Sequence, residues 1–407
     1  MYKIVVVGGG TGGWLTALSM QKFMPYSEIT VIASSELGIL GAGEGTTPHF
    51  MDLLKDLDIP ESDLFEHAKA TVKNGINFAN WRGDNTEYYH PFWNDQHAVH
   101  FDANLLAKYL QGVGQSRGVV LIDDIVSGIN EDAKGNIKSL SLQSGNTVDT
   151  DFVFDCSGLR RLIIGNHYKS NWNSYTRSLP CKRAMPFFIE HDGTNLEDYT
   201  SAIAMKNGWV WKIPVQDRYG CGYVFDSDFI TDAEAKAEVE EMLGHEITVP
   251  RFFDFQAGSF DKTWINNCIA IGLSAGFTEP MEATSIWIQV RTLQQLQTTM
   301  KDYIRDGHRV VDEFNTRISY LNNDLMQFIH LHYLTSRNDS DFWRTFVTKN
   351  ETPEFLLKLR DMANTGELTD EKLSELHQLE TNKSLEYAPT YLTTSWLAVG
   401  QGIGYFG

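Results

Sequence analysis

The chain has 407 residues, of which 42% are hydrophobic and 21% charged, so it can bury a substantial core in about two or three structural modules. Its 53 acidic side chains outnumber its 34 basic ones, and the net charge of −19 argues against binding to nucleic acid or to an anionic membrane. No apolar stretch reaches the length that spans a bilayer. The four cysteines form no Cys-x-x-Cys pair, so we expect buried thiols in a reducing cytoplasm.

The N-terminal segment predicts a strand, a helix and a second strand. Residues 4–7 are a β-branched apolar run, residues 14–23 have helical spacing, and residues 29–32 form a second short apolar run. This order indicates a βαβ unit and therefore a parallel sheet.

The turn between the first strand and the helix carries Gly8, Gly10 and Gly13 in the spacing Gly-x-Gly-x-x-Gly. The first glycine permits a tight turn, the second lets the backbone approach a pyrophosphate, and the third packs the helix against the strand. The pattern therefore predicts a dinucleotide at this turn. The other residues of the turn that we assign to the cofactor are Thr11, Gly12 and Trp14.

The end of the second strand lacks the acidic residue that usually holds the ribose in such folds, because Ala33 stands there. Ser34 is our candidate for this contact, with Ser35 and Glu36 as alternatives. All three are also ordinary turn residues.

A helix is predicted to begin at residues 60–63, and its apolar face includes Leu64, Ala68 and Val72. Residues 74–75, Asn-Gly, would end it in the manner of a C-terminal cap. Lys73 is therefore expected in the last helical turn. The later predicted elements are a helix at 105–110, strands at 119–122 and 152–154, hairpins at 134–136 and 144–146, an antiparallel sheet over 182–229, a long helix after Glu282, and further helices to about 379.

Residues 272–276 read Gly-Leu-Ser-Ala-Gly, which matches the nucleophile elbow of α/β-hydrolases, with Ser274 as the nucleophile. His308, His330 and His332 lie downstream as potential bases. A hydrolase has no use for the N-terminal fingerprint, however, and a glycine-rich turn after a strand also suits the far side of a flavin site.

Residues 209–214 read Trp-Val-Trp-Lys-Ile-Pro, and periodicity alone favours a core strand. Together with residues 8–14, this motif resembles the flavin-dependent halogenases of the tryptophan-halogenase type. The further segments that resemble the family are 43–48 (its G-E-A-T strap), 73–81 (its lysine segment), 89–92, 155–158 (its D-x-S-G flavin loop), 276–285 (its G-F-x-x-P-L-E-S-T-G stretch), 332–333 and 342–343. Ala283 and Ser285 depart from the family pattern, and the C-terminal third is shorter than in tryptophan-specific members.

The resemblance implies an α/β fold with an FAD-binding Rossmann-like module of the flavin monooxygenase type, an interleaved β-sheet region and a helical C-terminal module. We expect the first module over residues 1–300 and a mostly helical cover of the substrate site over 301–407. The implied reaction uses O2, a halide (chloride, bromide or iodide) and FAD reduced by a separate flavin reductase. Hypohalous acid formed at the flavin passes to a lysine and halogenates an indole or phenol. A homo-oligomer is compatible with the sequence.

The resemblance also assigns residues to roles. Lys73 and Glu282 are the expected catalytic pair, although a helix dipole alone would explain a lysine and a glutamate at helix ends. The other implied assignments are the backbone N–H groups of Thr284 and Ser285 for the halide, His90 and Phe92 for the aromatic substrate, Trp209, Trp211 and Ile213 for shielding the flavin, and Gly43, Glu44, Asp155, Gly272 and Gly276 for the cofactor.

Three other functions remain open from the sequence. An FAD-dependent aromatic monooxygenase would hydroxylate its substrate and would not need Lys73. A hydrolase would use Ser274, and a flavin-fold binding protein without turnover is encouraged only by Ala283. His97 and His100 lack an acidic or cysteine partner at ligand spacing, so we predict no metal site.

Overall fold

The computed structural model describes residues 1–38, 44–306, 309–380 and 389–407. The helices, in chain order, are α1 (Thr11–Phe23), α2 (Pro48–Asp56), α3 (Glu61–His67), α4 (Ala103–Ser116), α5 (Asp232–Leu243), α6 (Thr284–Asp306), α7 (Arg309–Tyr333), α8 (Asp341–Lys349), α9 (Glu354–Asn364), α10 (Asp370–Glu380) and α11 (Thr393–Gly402). The strands are β1 (Tyr2–Val7), β2 (Ser27–Ala33), β3 (Glu44–Gly45), β4 (Thr71–Lys73), β5 (Gly75–Ala79), β6 (Glu87–Pro91), β7 (Ala98–Phe101), β8 (Val120–Asp123), β9 (Val126–Glu131), β10 (Ile137–Leu142), β11 (Thr147–Asp149), β12 (Phe152–Asp155), β13 (Trp172–Ser174), β14 (Arg183–Glu190), β15 (Thr200–Ala204), β16 (Gly208–Val215), β17 (Arg218–Phe225), β18 (Phe253–Asp254), β19 (Gly258–Phe260), β20 (Trp264–Ile265), β21 (Cys268–Ala270) and β22 (Gly276–Phe277).

The first sheet has the strand order β20-β21-β12-β1-β2-β8. Its central strand β1 runs parallel to both neighbours, with Ile4 opposite Phe152 on one side and Ile29 on the other. The β-branched run of β1 is buried from Ile4 onward because helices α1, α2, α4 and α6 contribute to the core beside it. The predicted βαβ unit is confirmed, and so are the two predicted hairpins, which join β9, β10 and β11.

The second sheet has the order β18-β14-β17-β16-β15-β5-β6 and is antiparallel except between β15 and β5. The predicted antiparallel region over 182–229 is confirmed in β14, β16 and β17. The parallel pairing of β15 with β5 brings the segment after Lys73 to this sheet, where Gly75 lies opposite Pro91.

The helix predicted to continue to residue 73 is shorter than expected. Helix α3 ends at His67, Lys69 adopts a left-handed backbone with φ 52°, and β4 follows. A left-handed residue stops a helix, and the β-branched Thr71 and Val72 favour the strand that comes next. Lys73 therefore lies on a strand, where alternation turns its side chain inward while Val72 is 39% exposed.

Helices α7 to α11 form the C-terminal part of the fold, as the sequence predicted except for α11. Their apolar faces pack with β16 into a second core that includes Trp209, Phe328 and Trp396. The expected boundary between the two modules, 1–300 and 301–407, falls inside helix α6, which continues past residue 300. The division into these two modules stays a prediction. Among the described residues, no helix has both the length and the apolarity required to cross a membrane.

Candidate active site

The glycine turn, residues 8–14, has no room for side chains at two of its fingerprint positions. Gly8 has φ 124°, and a Cβ there would lie 2.1 Å from the Cys156 carbonyl oxygen. A Cβ on Gly13 would lie 1.8 Å from the Gly8 carbonyl oxygen. Helix α1 begins directly after Gly10, and its first turn carries no acidic side chain, so its backbone N–H groups suit an anion such as a pyrophosphate.

Two loops face the glycine turn from neighbouring strands. Asp155, at the end of β12, is fully buried and accepts hydrogen bonds from the backbone N–H groups of Ser157, Ile163 and Ile164. Its carboxylate therefore fixes the loop that follows. Ser274 is also fully buried, and its hydroxyl accepts a bond of 2.9 Å from the Gly158 N–H.

This placement of Ser274 argues against the hydrolase interpretation, because a nucleophile elbow presents its serine to solvent. His330 bonds to the Ser178 carbonyl, and His332 bonds to the Phe328 carbonyl and to Glu282. His308 lies outside the described residues.

Gln289 is a residue of this region that the sequence did not point to. Its side-chain amide lies between two turns: the Cβ positions of Gly12 and Gly272 would be 3.1 Å and 3.4 Å from its nearest atoms. No local pattern marks a glutamine in the second turn of α6 as part of the site. Only packing between α1 and α6 reveals it.

The end of β2 has an acidic neighbour that the sequence order conceals. Ala33 lies opposite Asp123 of β8, and the Asp123 carboxylate accepts hydrogen bonds from the N–H and hydroxyl of Ser35 at 2.9 Å and 2.8 Å. Ser34 accepts a bond from the Glu36 N–H. Asp123 thus stands where the missing acidic residue would be expected, contributed by the adjacent strand.

The residues present fit a large polar cofactor such as FAD. Four buried polar atoms, on the glycine turn and on other elements, have no hydrogen-bond partner among the described residues: Thr11 Oγ1, Thr47 Oγ1, Ser285 Oγ and Gln289 Nε2. Glu44 lies on β3, and burial, with the nearby Asp102 carboxylate, raises the pKa of Glu44 to about 7. Gly276 lies on β22, whereas Gly43 lies outside the described residues.

Lys73 is buried under the strap that the resemblance singled out. Strands β3 and β4 pair with opposite sides of β7, so the strap and Lys73 belong to one small sheet. The Lys73 ammonium donates to the Thr46 carbonyl oxygen at 2.9 Å and lies 5.3 Å from the centre of the Phe92 ring. Burial lowers the pKa of Lys73 to about 8, although the Glu282 carboxylate favours its charged form.

Glu282 lies in the turn before α6, which begins at Thr284, so the long helix predicted after Glu282 is confirmed. Glu282 and Ala283 both have left-handed backbones, with φ values of 61° and 54°. Two such non-glycine residues in succession cost about 1 kcal/mol or more each, a strain that is typical of functional sites.

Two imidazoles hold the Glu282 carboxylate. His90 Nδ1 lies 2.9 Å from both carboxylate oxygens, and His332 Nε2 lies 3.2 Å from Oε1. Burial raises the pKa of Glu282, but the two facing imidazoles outweigh it and bring that pKa down to about 2. His90 Nε2 bonds to the Ser395 hydroxyl at 2.9 Å. The sequence analysis placed neither His332 nor Ser395 beside Glu282.

The two predicted halide donors differ in their surroundings. The backbone N–H of Thr284 donates to the Met281 carbonyl, and its hydroxyl also bonds within the same turn. This argues against Thr284 as a halide ligand. Ser285 follows in the first turn of α6, where backbone N–H groups have no acceptor within the helix.

The side chains of Trp209, Trp211 and Ile213 lie on one face of β16 and are all buried in the second core. The Trp211 ring covers Gly222, where a Cβ would be 2.1 Å from the indole. The strand predicted at residues 209–214 is confirmed. The wall formed by Trp209, Trp211 and Ile213 is proposed to shield the flavin, and that role stays a prediction.

Trp209 also connects this wall to the turn that carries Glu282. Its indole N–H donates to Glu279 Oε2 at 3.0 Å, and the Tyr333 hydroxyl donates to the same oxygen. Glu279 is fully buried, and burial raises its pKa to about 7. The bond fixes the chain three residues before Glu282.

The remaining predicted residues have ordinary partners. Phe92 is partly buried beside Lys73, and His90 is held at both ring nitrogens, so stacking of a substrate on either ring stays a prediction. His97 pairs with Glu61, and His100 bonds to Thr71 and Thr200. Within the described ranges, no group of three potential ligands forms a metal site.

Comparison with known proteins gives consistent matches. A family model described as tryptophan halogenase matches residues 3–96 and 94–406. The chain is 31% identical to tryptophan 7-halogenase RebH of Lentzea aerocolonigenes, over 84% of this chain and 78% of the relative. Tryptophan 6-halogenase SttH of Streptomyces toxytricini superimposes with a TM-score of 0.91 at 26% identity, over 100% of this chain and 91% of that one. BrvH, a flavin-dependent halogenase from Brevundimonas sp. BAL3, gives 0.87 at 28% identity, over 100% and 90%.

Proposed function

This chain belongs to the tryptophan halogenase family and is a flavin-dependent halogenase, and we propose that it halogenates an electron-rich aromatic ring by means of Lys73 and Glu282. The observation that carries this proposal is the burial of both side chains in one site, with the Lys73 ammonium under the electrostatic influence of Glu282. Buried charges of this kind are costly and are typical of catalytic sites.

Reduced FAD would supply two electrons to O2, and the activated oxygen would oxidise halide to hypohalous acid while the other oxygen atom leaves as water. The glycine turn and the start of α1 would hold the pyrophosphate, and Asp123 with Ser34 would lie at the ribose. Gln289 and Glu44 are further contacts that the packing supports. A separate flavin reductase would supply the reduced cofactor.

Lys73 would hold hypohalous acid next to the substrate. Its ammonium donates hydrogen bonds, and the Thr46 carbonyl and Glu282 favour this charged form. As the halogen moves to a ring carbon, the hydroxide left behind takes a proton from the ammonium and leaves as water. The ionised Glu282 accepts the proton that the ring carbon loses when aromaticity returns.

The surrounding residues would bind the halide and orient the ring. The N–H of Ser285 at the start of α6 would hold the halide, since early helical N–H groups attract anions. Phe92 and His90 would contact the aromatic ring. The wall formed by Trp209, Trp211 and Ile213 would keep that ring away from the flavin and so suppress direct hydroxylation.

A product assay tests this function. The protein is incubated with reduced FAD, O2 and each halide against a panel of indoles and phenols, and the products are identified by mass spectrometry. We expect halogenated rings that require both the halide and Lys73. Products that carry added oxygen and no halogen would instead establish an aromatic monooxygenase.

We further propose a cytoplasmic location, because the four cysteines, all within the described part of the chain, are free thiols. The small aromatic substrate and the flavin reductase are the expected partners. Whether the chain forms a homo-oligomer is a separate question that light scattering answers directly.

A further inference from the structure

Ser395, near the start of α11, belongs to a directional chain of hydrogen bonds that leads to Glu282. The Trp93 Nε1 atom lies 3.4 Å from Ser395 Oγ, which lies 2.9 Å from His90 Nε2. An indole N–H can only donate, so Ser395 accepts from Trp93, and its own hydroxyl proton is available for donation to His90. When Ser395 donates to His90 Nε2, a neutral His90 ring carries its proton on Nδ1, which faces both oxygens of Glu282.

His332 makes the protonation of Glu282 sensitive to this chain. Its Nδ1 lies 2.9 Å from the Phe328 carbonyl oxygen, and because a carbonyl only accepts, Nδ1 carries a proton. The opposite nitrogen, Nε2, lies 3.2 Å from Glu282 Oε1, so this bond needs one proton on either His332 or Glu282. A hydrogen bond donated by His90 Nδ1 to both carboxylate oxygens stabilises the ionised form of Glu282. The shared proton then lies on the His332 side of the bond.

We propose that Ser395, acting through His90, is a positioning residue that keeps Glu282 in the carboxylate form needed to take the proton from the halogenated ring. The inference rests on the proposed function of Glu282. Without the serine hydroxyl, His90 can adopt the other tautomer, in which the Nδ1 lone pair faces Glu282. Glu282 must then carry a proton to make that bond, and it can no longer accept one from the ring.

Lys73 and Tyr88 also face Glu282, but their effect on its protonation does not depend on Ser395. Lys73 on β4 favours the carboxylate, but it faces Glu282 with or without Ser395. Tyr88 on β6 stays neutral, because burial and the nearby Glu282 raise its pKa well above the usual value. His90 on β6 and His332 on α7 are therefore the groups through which the balance can change.

Helix α11 holds Ser395 in a defined position. The Thr393 N–H donates to Asp370 Oδ1 at 3.0 Å, and Trp396 is fully buried in the second core. Ser395 is itself 6% exposed, so water does not readily take the place of its hydroxyl. A Ser395→Ala variant removes one oxygen and leaves these anchors intact.

The kinetic test uses the full-length FAD-loaded protein with reduced FAD, O2 and halide. For Ser395→Ala we expect the acid limb of the pH profile of kcat to move up by about one pH unit, and the rate on that limb to fall about 10-fold. The KM of the aromatic substrate and the affinity for FAD should not change. Ser395→Thr restores a hydroxyl and should restore the profile, whereas Thr394→Ala, at an exposed neighbour on the same helix, should have no effect.

A second measurement does not depend on turnover. Nitrogen-15 NMR of histidine-labelled, FAD-loaded protein without halide or substrate reports the tautomer of His90. We expect the Nδ1–H form in the wild type and a shift toward the Nε2–H form in Ser395→Ala. An Nε2–H form in the wild type, or an unchanged tautomer in the variant, would overturn this inference even if the proposed halogenation were confirmed. Absence of halogenation with the expected tautomers would overturn the proposed function instead.

Discussion

The glycine turn and the lysine–glutamate site, defined as Lys73, His90, Glu282, His332 and Ser395, are built in opposite ways. The glycine turn is one continuous segment whose function depends on backbone shape and on missing side chains. The lysine–glutamate site collects side chains from β4, β6, α7, α11 and the turn before α6, and its hydrogen bonds join residues up to 305 positions apart. The proposed pyrophosphate contact is thus encoded locally, whereas the proposed transfer of the halogen depends on the whole fold.

A large effect on the lysine–glutamate site alone is expected when Glu282 loses its carboxylate. Glu282→Gln keeps the size of the side chain but cannot take a proton from the ring, so we expect kcat for halogenation to fall about 1000-fold. The affinity for FAD, measured by flavin fluorescence, should stay within about two-fold of the wild type because the glycine turn is untouched. Wild-type turnover in this variant would remove Glu282 from the reaction.

The reciprocal variant breaks the glycine turn. Gly13→Ala places a Cβ against the Gly8 carbonyl oxygen, so the helix must move away from the strand, and we expect FAD affinity to fall about 100-fold. Gly112→Ala on α4 is the matched control, since a Cβ there meets nothing within 4 Å. Equal FAD binding by the two variants would contradict the importance of close packing at Gly13.

The pH dependence of the halogenation rate tests whether Lys73 acts as an ammonium or as a neutral amine. Because its pKa is lowered from 10.5 to about 8, the ammonium is present at pH 7 and is mostly lost by pH 9. If the ammonium holds hypohalous acid, the halogenation rate at saturating FAD should fall about 10-fold over this interval. A rate that rises between pH 7 and 9 would show that the neutral amine attacks the halogen.

The contrast between the two regions also explains what the sequence could predict. The glycine turn, β1, α1 and β2 follow from local constraints on backbone and periodicity, and all were predicted. Lys73 and Glu282 came from a family resemblance, and the helix predicted to hold Lys73 was wrong, because Lys73 lies on β4. The helical spacing of Leu64 and Ala68 extends to Val72 in the sequence. In the structure, the left-handed backbone of Lys69 prevents the helix from continuing, and strand β4 begins at Thr71.

Contacts between distant elements left no sequence signal. His332 lies in a segment that resembles the family, but nothing in the sequence placed it beside Glu282, and Ser395 lies in α11, which was not predicted. Asp123 reaches the end of β2 only because β8 pairs with that strand. Such residues become visible when strand order and helix packing are known, since a side chain's neighbours in space need not be its neighbours in the chain.

The most direct test of the account measures where the oxidised halogen goes when Lys73 is replaced. Lys73→Met keeps an unbranched side chain in the buried position and leaves the glycine turn intact. With reduced FAD, O2, halide and substrate, we expect FAD to bind normally and hypohalous acid to appear in solution as a trapped haloamine of added taurine. Ring halogenation should fall below one-thousandth of the wild-type rate, on the order of other losses of an essential catalytic group. Halogenation of the ring at the wild-type rate, with no trapped hypohalous acid, would contradict the claim that Lys73 carries the halogen to the substrate.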